Sequence, residues 1–437
     1  MQRRAKRLSL LVTFLILIIG TGLPVQAAVP GAPAGRTAGS TAAMPVVGPD
    51  IPIYVSDENQ MLPDVAYNWK HDEYLVVWET IWSTGERDIW GRRISGQGEI
   101  LDAFPIGYGS NHRSQPSVAY DSEYDRYLVV WQYDYYGDGS DYDINGRFVP
   151  WDGPDPSLVE FFICTWSSDQ WWPSVVYNEN PDWDEFLVVW YDSTLNNPYT
   201  VSGRRVYADG SGFPVSAFPI ADHATENRRD PDVAYNLARN EYLVTYSDGS
   251  DIYATRLEAN GNALGGGEFN VATWPDPETE PAVAACHTAN QYFVAWQSDQ
   301  GTHWDIYGRF VDGTGTVANV LHISESTLWE TLPAIACNPA AGKYLVVWQQ
   351  EYNNTGVPVG IGGRLVSTGM TQGPPFEIVA PTDDNSRVEP AVAAGQPDYL
   401  VPWTHQRPRT SWSKYLDIHG RLVWPGLIYL PLLLRNG

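Results

Sequence analysis

Seven times between Pro63 and Trp424 the chain repeats one pattern, and that repetition restricts it to a small set of architectures. Each copy opens on a proline and a short apolar segment, as in Pro63-Asp64-Val65-Ala66-Tyr67-Asn68. A segment closing on tryptophan follows (Tyr74 to Trp78), then Asp-Ile-x-Gly-Arg (Asp88 to Arg92), then Phe-x-Ile (Phe104 to Ile106). The opening prolines are Pro63, Pro116, Pro173, Pro231, Pro281, Pro333 and Pro390. Their period of roughly 50 to 58 residues lies in the range of propellers and repeat arrays.

Within the second segment Tyr74, Val76 and Trp78 face one way, and Leu75 and Val77 the other. Both faces are apolar, so the strand must be covered on both sides. Four such segments per copy predict an all-β, seven-bladed β-propeller of four-stranded antiparallel blades over residues 51–424. Tryptophan recurs as Trp78, Trp131, Trp190, Trp296, Trp348 and Trp403, with Tyr246 in the fourth copy, and reads as core packing. The arginines Arg92, Arg147, Arg204, Arg256, Arg309, Arg364 and Arg421 recur as well, mostly behind a glycine. They are expected to stack on an aromatic ring or pair with an acid of the adjoining blade, the glycine making room for a bulky neighbour. The fourth copy (Asp251 to Arg256) lacks the glycine and reads one residue longer, so a bulge or local shift is expected there. The last copy lacks its Phe-x-Ile strand. Ile53-Tyr54-Val55-Ser56 resembles the outer strand Leu321-His322-Ile323-Ser324, so residues 51–56 are expected to complete the last blade and close the ring.

The ends suggest an exported protein. Arg3, Arg4, Lys6 and Arg7, the apolar run from Leu8 and the small residues around Ala27 read as a signal peptide over residues 1–27, with an uncleaved anchor as the alternative. Residues 28–50 read as a flexible Ala/Gly/Pro/Thr leader, and residues 425–437 as an apolar tail too short to span a bilayer. A formal charge of -25 argues against nucleic acid as a partner. A monomer without a membrane span after cleavage is expected, secreted or at the cell surface. Of the three cysteines, Cys286 and Cys337 fall in the first strands of neighbouring copies. They either form a disulfide or are, with Cys164, small buried residues. No cofactor is called for, apart from calcium: Asp134, Asp138, Asp141 and Asp143 partly match an Asp-x-Asp-x-Asp-Gly loop, with Tyr136 where an oxygen ligand belongs.

The Pro-x-Val-Ala-Tyr-Asn … Tyr-Leu-Val-Val-Trp … Asp-Ile-x-Gly-Arg unit resembles the repeats of secreted bacterial β-propeller proteins, mostly of unassigned function. The resemblance covers nearly all of residues 51–424. It implies extracellular binding or scaffolding and carries over no catalytic residue. The Ser-x-Asp-x-Gly-x-x-Trp box of sialidases is absent, and the kelch-like Gly362-Gly363 is not repeated in the other copies.

Residues shared by every copy serve the fold, so function is expected where the copies differ. The residue before each proline (Leu62, Gln115, Trp172, Asp230, Glu280, Leu332, Glu389) should reach the mouth of the central channel. So should the residue two places earlier (Gln60, Arg113, Gln170, Arg228, Glu278, Glu330, Arg387). With aromatics of the same loop face, these nominate Arg113, Trp172, Arg228, Asp230, Glu280, Trp304, Arg387, Glu389 and Trp412 as ligand-binding residues. The reading is a binding or scaffold module for glycan or protein. A carbohydrate-active enzyme with acids at the channel mouth and a purely structural surface component are the alternatives.

Overall fold

A computed structural model describes residues 44–193, 198–223, 225–324, 326–351, 359–381, 387–406 and 415–426. The signal-peptide reading and all of the C-terminal tail beyond residue 426 lie outside them. The unit Ala43–Gly437 holds seven antiparallel sheets and no α-helix among its described residues. It is an all-β, seven-bladed propeller.

Blade one shows the plan: Asn59–Asn68, Glu73–Ile81, Arg87–Ser95 and Ile100–Gly107 pair in chain order, from the inner strand to the outer. Blades two to six, over residues 112–164, 170–221, 229–272, 278–322 and 329–379, repeat it. The second strand is apolar on both faces because each blade is sandwiched between two others. Its Trp78, Trp131, Trp190, Trp296, Trp348 and Trp403, and Tyr246 in blade four, are at most 1 % exposed.

Blade seven closes the ring with the two ends of the chain. Leu416–Trp424 pairs with Ile51–Tyr54, which takes the outer position, and Ile53 is fully buried. Val46–Val47 adds a further pairing, to Val423 and Trp424. Structure therefore begins inside the stretch expected to be a flexible leader.

The repeated glycine and arginine each have a definite task. A Cβ on Gly91, Gly146, Gly203, Gly363 or Gly420 would meet the tip of an isoleucine on the same blade's outer strand: Ile106, Ile163, Ile220, Ile378 and Ile53, at 2.7 to 3.1 Å. The glycine makes room for that isoleucine, not for the arginine. Six of the seven guanidinium groups, all but Arg256, reach back to a backbone carbonyl on or beside the preceding blade's outer strand. Arg92 donates to Ile53 O (2.6 Å), Arg147 to Ile106 O (2.8 Å), Arg204 to Ile163 O (2.6 Å), Arg364 to Ile323 O (2.8 Å) and Arg421 to Ile378 O (2.8 Å). Arg309 donates likewise to Val271 O. Pairing with an acid is not the rule, although Arg92 and Arg204 also lie over the rings of Tyr54 and Phe213.

Blade four corrects two expectations. Its third strand pairs without a break against the second, with Thr255 opposite Val244 just as Arg92 is opposite Val76. The copy is therefore no longer than the others. Thr255 takes the arginine's place, and Arg256 matches Arg93 and Arg205. All three pair with a glutamate at the start of the second strand: Glu73, Glu185 and Glu241.

Cys286 and Cys337 form a disulfide across blades five and six, with Cα atoms 5.6 Å apart. Cys164 is free and buried, and burial pushes its thiol up to about 12.

Candidate binding site at the axial cavity

Every inner strand carries the same local distortion. The residue before the opening proline sits in the left-handed region: Leu62, Gln115, Trp172, Asp230, Glu280, Leu332 and Glu389 have φ between 51° and 57°. Pairing with the second strand skips at this point in blades one to six. Proline lacks the N–H that the ladder would use, so a bulge forms, and a left-handed residue turns the chain. Seven non-glycine residues held at φ > 0 are costly individually and persist because the ring packing over-determines them.

The bulge settles which side chains reach the axis. All seven left-handed residues, their prolines and, apart from Val65, the two residues that follow line an axial cavity of about 440 Å³. The residues two places earlier do not. Gln60, Gln170, Arg228, Glu278 and Glu330 are at most 1 % exposed and Arg113 is 6 % exposed, packed inside the ring. Glu278 accepts from Trp296 Nε1 (3.2 Å) and Glu330 from Trp348 Nε1 (3.1 Å). Their task is to satisfy buried tryptophan N–H groups.

Trp172, Asp230, Glu280 and Glu389 thus stand at the cavity, and two of the arginines do not join them. Arg113 is held by Glu160 (3.2 Å), and Arg228 by Glu268 (2.7 Å) and Glu226 (3.1 Å) over the ring of Tyr253. Trp304 opens the third strand of blade five, half-buried. The backbone of Arg387 pairs with His405 on blade seven, and Trp412 lies outside the described residues. The proposed calcium loop does not converge. Both carboxylate oxygens of Asp134 accept backbone amides, from Gly137 and Gly139 at 2.8 Å. Among the described residues no group of three or more His, Cys, Asp or Glu could hold a metal ion.

The cavity has two characters. On blades three to five, Trp172 is 41 % exposed, and Asp230 and Glu280 follow it around the ring. Burial pushes Glu280 up to about 7, reinforced by the charge of Asp230. Asp230 is also raised by burial, against the pull of Arg229, whose Nε lies 3.5 Å away. Next to them is an aromatic wall. Trp171 packs on Tyr191 (5.5 Å between centroids) and Tyr199 (5.9 Å), and Tyr142 lies 6.3 Å from Trp171. Tyr191 is within electrostatic reach of Asp230, Arg229 and Glu280, which sets the wall near the carboxylates, outside the residues that line the cavity. On blade seven, burial raises Glu389, whose carboxylate accepts from Leu62 N (3.1 Å) and Thr404 Oγ1 (3.0 Å).

Sequence reasoning missed Tyr191 and Arg229. Tyr191 directly follows a core tryptophan and Arg229 directly precedes Asp230. In a strand that neighbour is the residue turned to the opposite face. Other loop aromatics proved to be local caps: Trp82 donates to Asp88 (2.6 Å), Trp166 packs on Trp190 and Trp274 on Tyr307.

No protein-family model matches the sequence, and no curated protein matches it. Solved structures are similar in fold alone. A puromycin hydrolase S511A mutant complexed with PGG superposes with a TM-score of 0.51 at 12% identity, over 80% of this chain and 51% of that one. A puromycin-hydrolyzing peptidase from Mycobacterium tuberculosis gives 0.50 at 10% identity, over 86% and 55%. The Hadza microbial sialidase Hz136 gives 0.49 at 10% identity, over 67% and 63%. The chain spans about half the length of the puromycin-hydrolyzing proteins it matches.

Proposed function

We propose that this protein is a binding module whose axial mouth recognises a glycan. One observation carries the reading: Trp172 and the carboxylates Asp230 and Glu280 line a concave cavity, and the aromatic cluster Trp171–Tyr191–Tyr199 lies within electrostatic reach of those carboxylates. Ring faces stack on the C–H faces of sugars, while carboxylates and Arg229 supply hydrogen bonds to hydroxyls. The cavity of about 440 Å³ falls in the range of small-ligand sites rather than of flat protein interfaces. The disulfide agrees with an oxidising, extracellular setting. Among the described residues no helix is long and apolar enough to cross a membrane.

Glycan-array screening of the purified protein tests this. We expect binding that Trp172→Ala weakens by about tenfold or more, as for loss of a stacked aromatic at a site centre, with unchanged thermal unfolding. A protein that binds no glycan but retains a partner in a pull-down would move the assignment to protein scaffolding.

A second reading rests on the Asp230–Glu280 pair. Two carboxyls, one kept protonated to about pH 7, are what acid–base cleavage of a glycosidic bond uses. Turnover of a bound oligosaccharide that disappears in Glu280→Gln would establish it.

A further inference from the structure

Below the mouth, the inner strands present a ring of backbone amides to the cavity. In an antiparallel ladder alternate amides face the partner strand and the others face away. On blade seven Ala391 N bonds Pro402 O (3.0 Å), so the next amide, Val392 N, faces the axis. The equivalent amides belong to Val65, Val118, Val175, Val233, Val283 and Ile335, and all seven residues except Val65 line the cavity.

Five of these seven amides meet a side-chain acceptor. Asp64 takes Val65 N on one oxygen and Val118 N, on the next blade, on the other, each at 2.8 Å. Asp232 likewise bridges Val233 N (2.9 Å) and Val283 N (2.8 Å). Ser117 Oγ accepts from Val175 N (3.3 Å). On blades five, six and seven the same position holds Ala282, Ala334 and Ala391, which offer no acceptor. Among the described residues no side chain accepts from Ile335 N or Val392 N. These two belong to adjacent blades and stand in the same relation as the pairs that Asp64 and Asp232 bridge.

We propose that Ile335 N and Val392 N form a docking site for a carboxylate supplied by a ligand. The protein's own aspartates are the template. At two places in the ring a carboxylate already spans this pair of amides, one oxygen on each, and Ala334 is where blade six would need an aspartate to do the same. Two converging N–H donors suit an anionic, two-oxygen acceptor, because charge-assisted hydrogen bonds are the stronger ones. The acidic mouth opposes an incoming anion less than its formal charge suggests, since burial holds Glu280 and Glu389 towards their neutral forms. This site goes beyond the glycan reading and would stand if that reading failed.

The test follows the backbone amides of the isotope-labelled protein by NMR during titration with sodium acetate, glucuronate and glucose. We expect acetate and glucuronate to shift Ile335 and Val392 saturably, leaving Val118 and Val283, already held by aspartates, in place. Ala334→Asp should abolish the response by supplying the bridge internally, without lowering thermal stability. Absence of a shift with acetate, equal shifts of all seven amides, or a response that survives in Ala334→Asp would each overturn the proposal. A response to acetate and glucuronate with none to glucose or to any neutral glycan would uphold this site and count against the glycan reading.

Discussion

Carboxylates in and around the ring titrate abnormally because the packed blades remove them from water. Burial pushes Asp64 up to about 6, and Glu79, Glu278 and Glu280 up to about 7. A group whose folded pKa exceeds its unfolded value binds more protons in the folded state, so its stabilising contribution is lost as pH rises through the folded value. For Glu280 the window runs from 4.5 to about 7. Thermal stability should therefore decline between about pH 4.5 and pH 8. Glu280→Gln should flatten that decline, raising the midpoint by a few degrees at the alkaline end and leaving it unchanged at the acidic end. Calorimetry across that range checks this, and an equal effect at both ends would contradict it. The residues at the cavity were legible at this scale only in part. The row before the prolines reaches the axis as the repeat alignment suggests. The row two places earlier turns inward instead, because one left-handed residue redirects the chain, and no composition or period announces a φ angle.

At the scale of the strand, the repeats compensate for one another within a single sequence. Where six blades pair glycine on the third strand with isoleucine on the outer strand, blade four carries Ala254 with Val271. A methyl group gained on one strand is matched by one lost on the other, as close packing demands. Transferred to blade two, Gly146→Ala would place a Cβ 2.9 Å from Ile163 Cδ1 and 3.2 Å from Val129 O. It should destabilise by about 1–3 kcal/mol, the usual cost of overpacking. Adding Ile163→Val should recover much of the loss, although that change alone costs about 0.5–1.5 kcal/mol. Urea unfolding of the double-mutant cycle would show the coupling, and simple additivity would mean that the glycine has another role. This pairing was within reach of the sequence: aligning Thr255, not Arg256, with the other arginines exposes it. The apparent extra residue in blade four came from matching arginine to arginine.

For the whole molecule, closure couples the two ends. Ile51–Tyr54 completes blade seven, Ile53 is buried above Gly420, and its carbonyl accepts from Arg92 of blade one. The N-terminal strand thus bonds to both blades at the seam. A chain beginning at residue 58 would leave the outer edge of Leu416–Trp424 unpaired and expose that seam. Its unfolding midpoint should fall by on the order of 10 °C, given the loss of two buried isoleucines, the apolar surface they covered returned to water and a lost strand pairing. An unchanged midpoint in a thermal scan would show that the closure contributes nothing to stability. The repeat alone determined the number of blades, the buried tryptophans and the seam, because these depend on periodicity and on alternation along a strand, which are local properties of the chain. Only the tertiary structure decided which side chains meet. Asp64 and Asp232 bridge amides of successive blades, Trp171 packs on Tyr191, and Cys286 bonds Cys337, all reaching residues tens of positions apart or on neighbouring strands. Such meetings follow from how the blades are set around the axis, and a linear pattern carries no measure of that geometry.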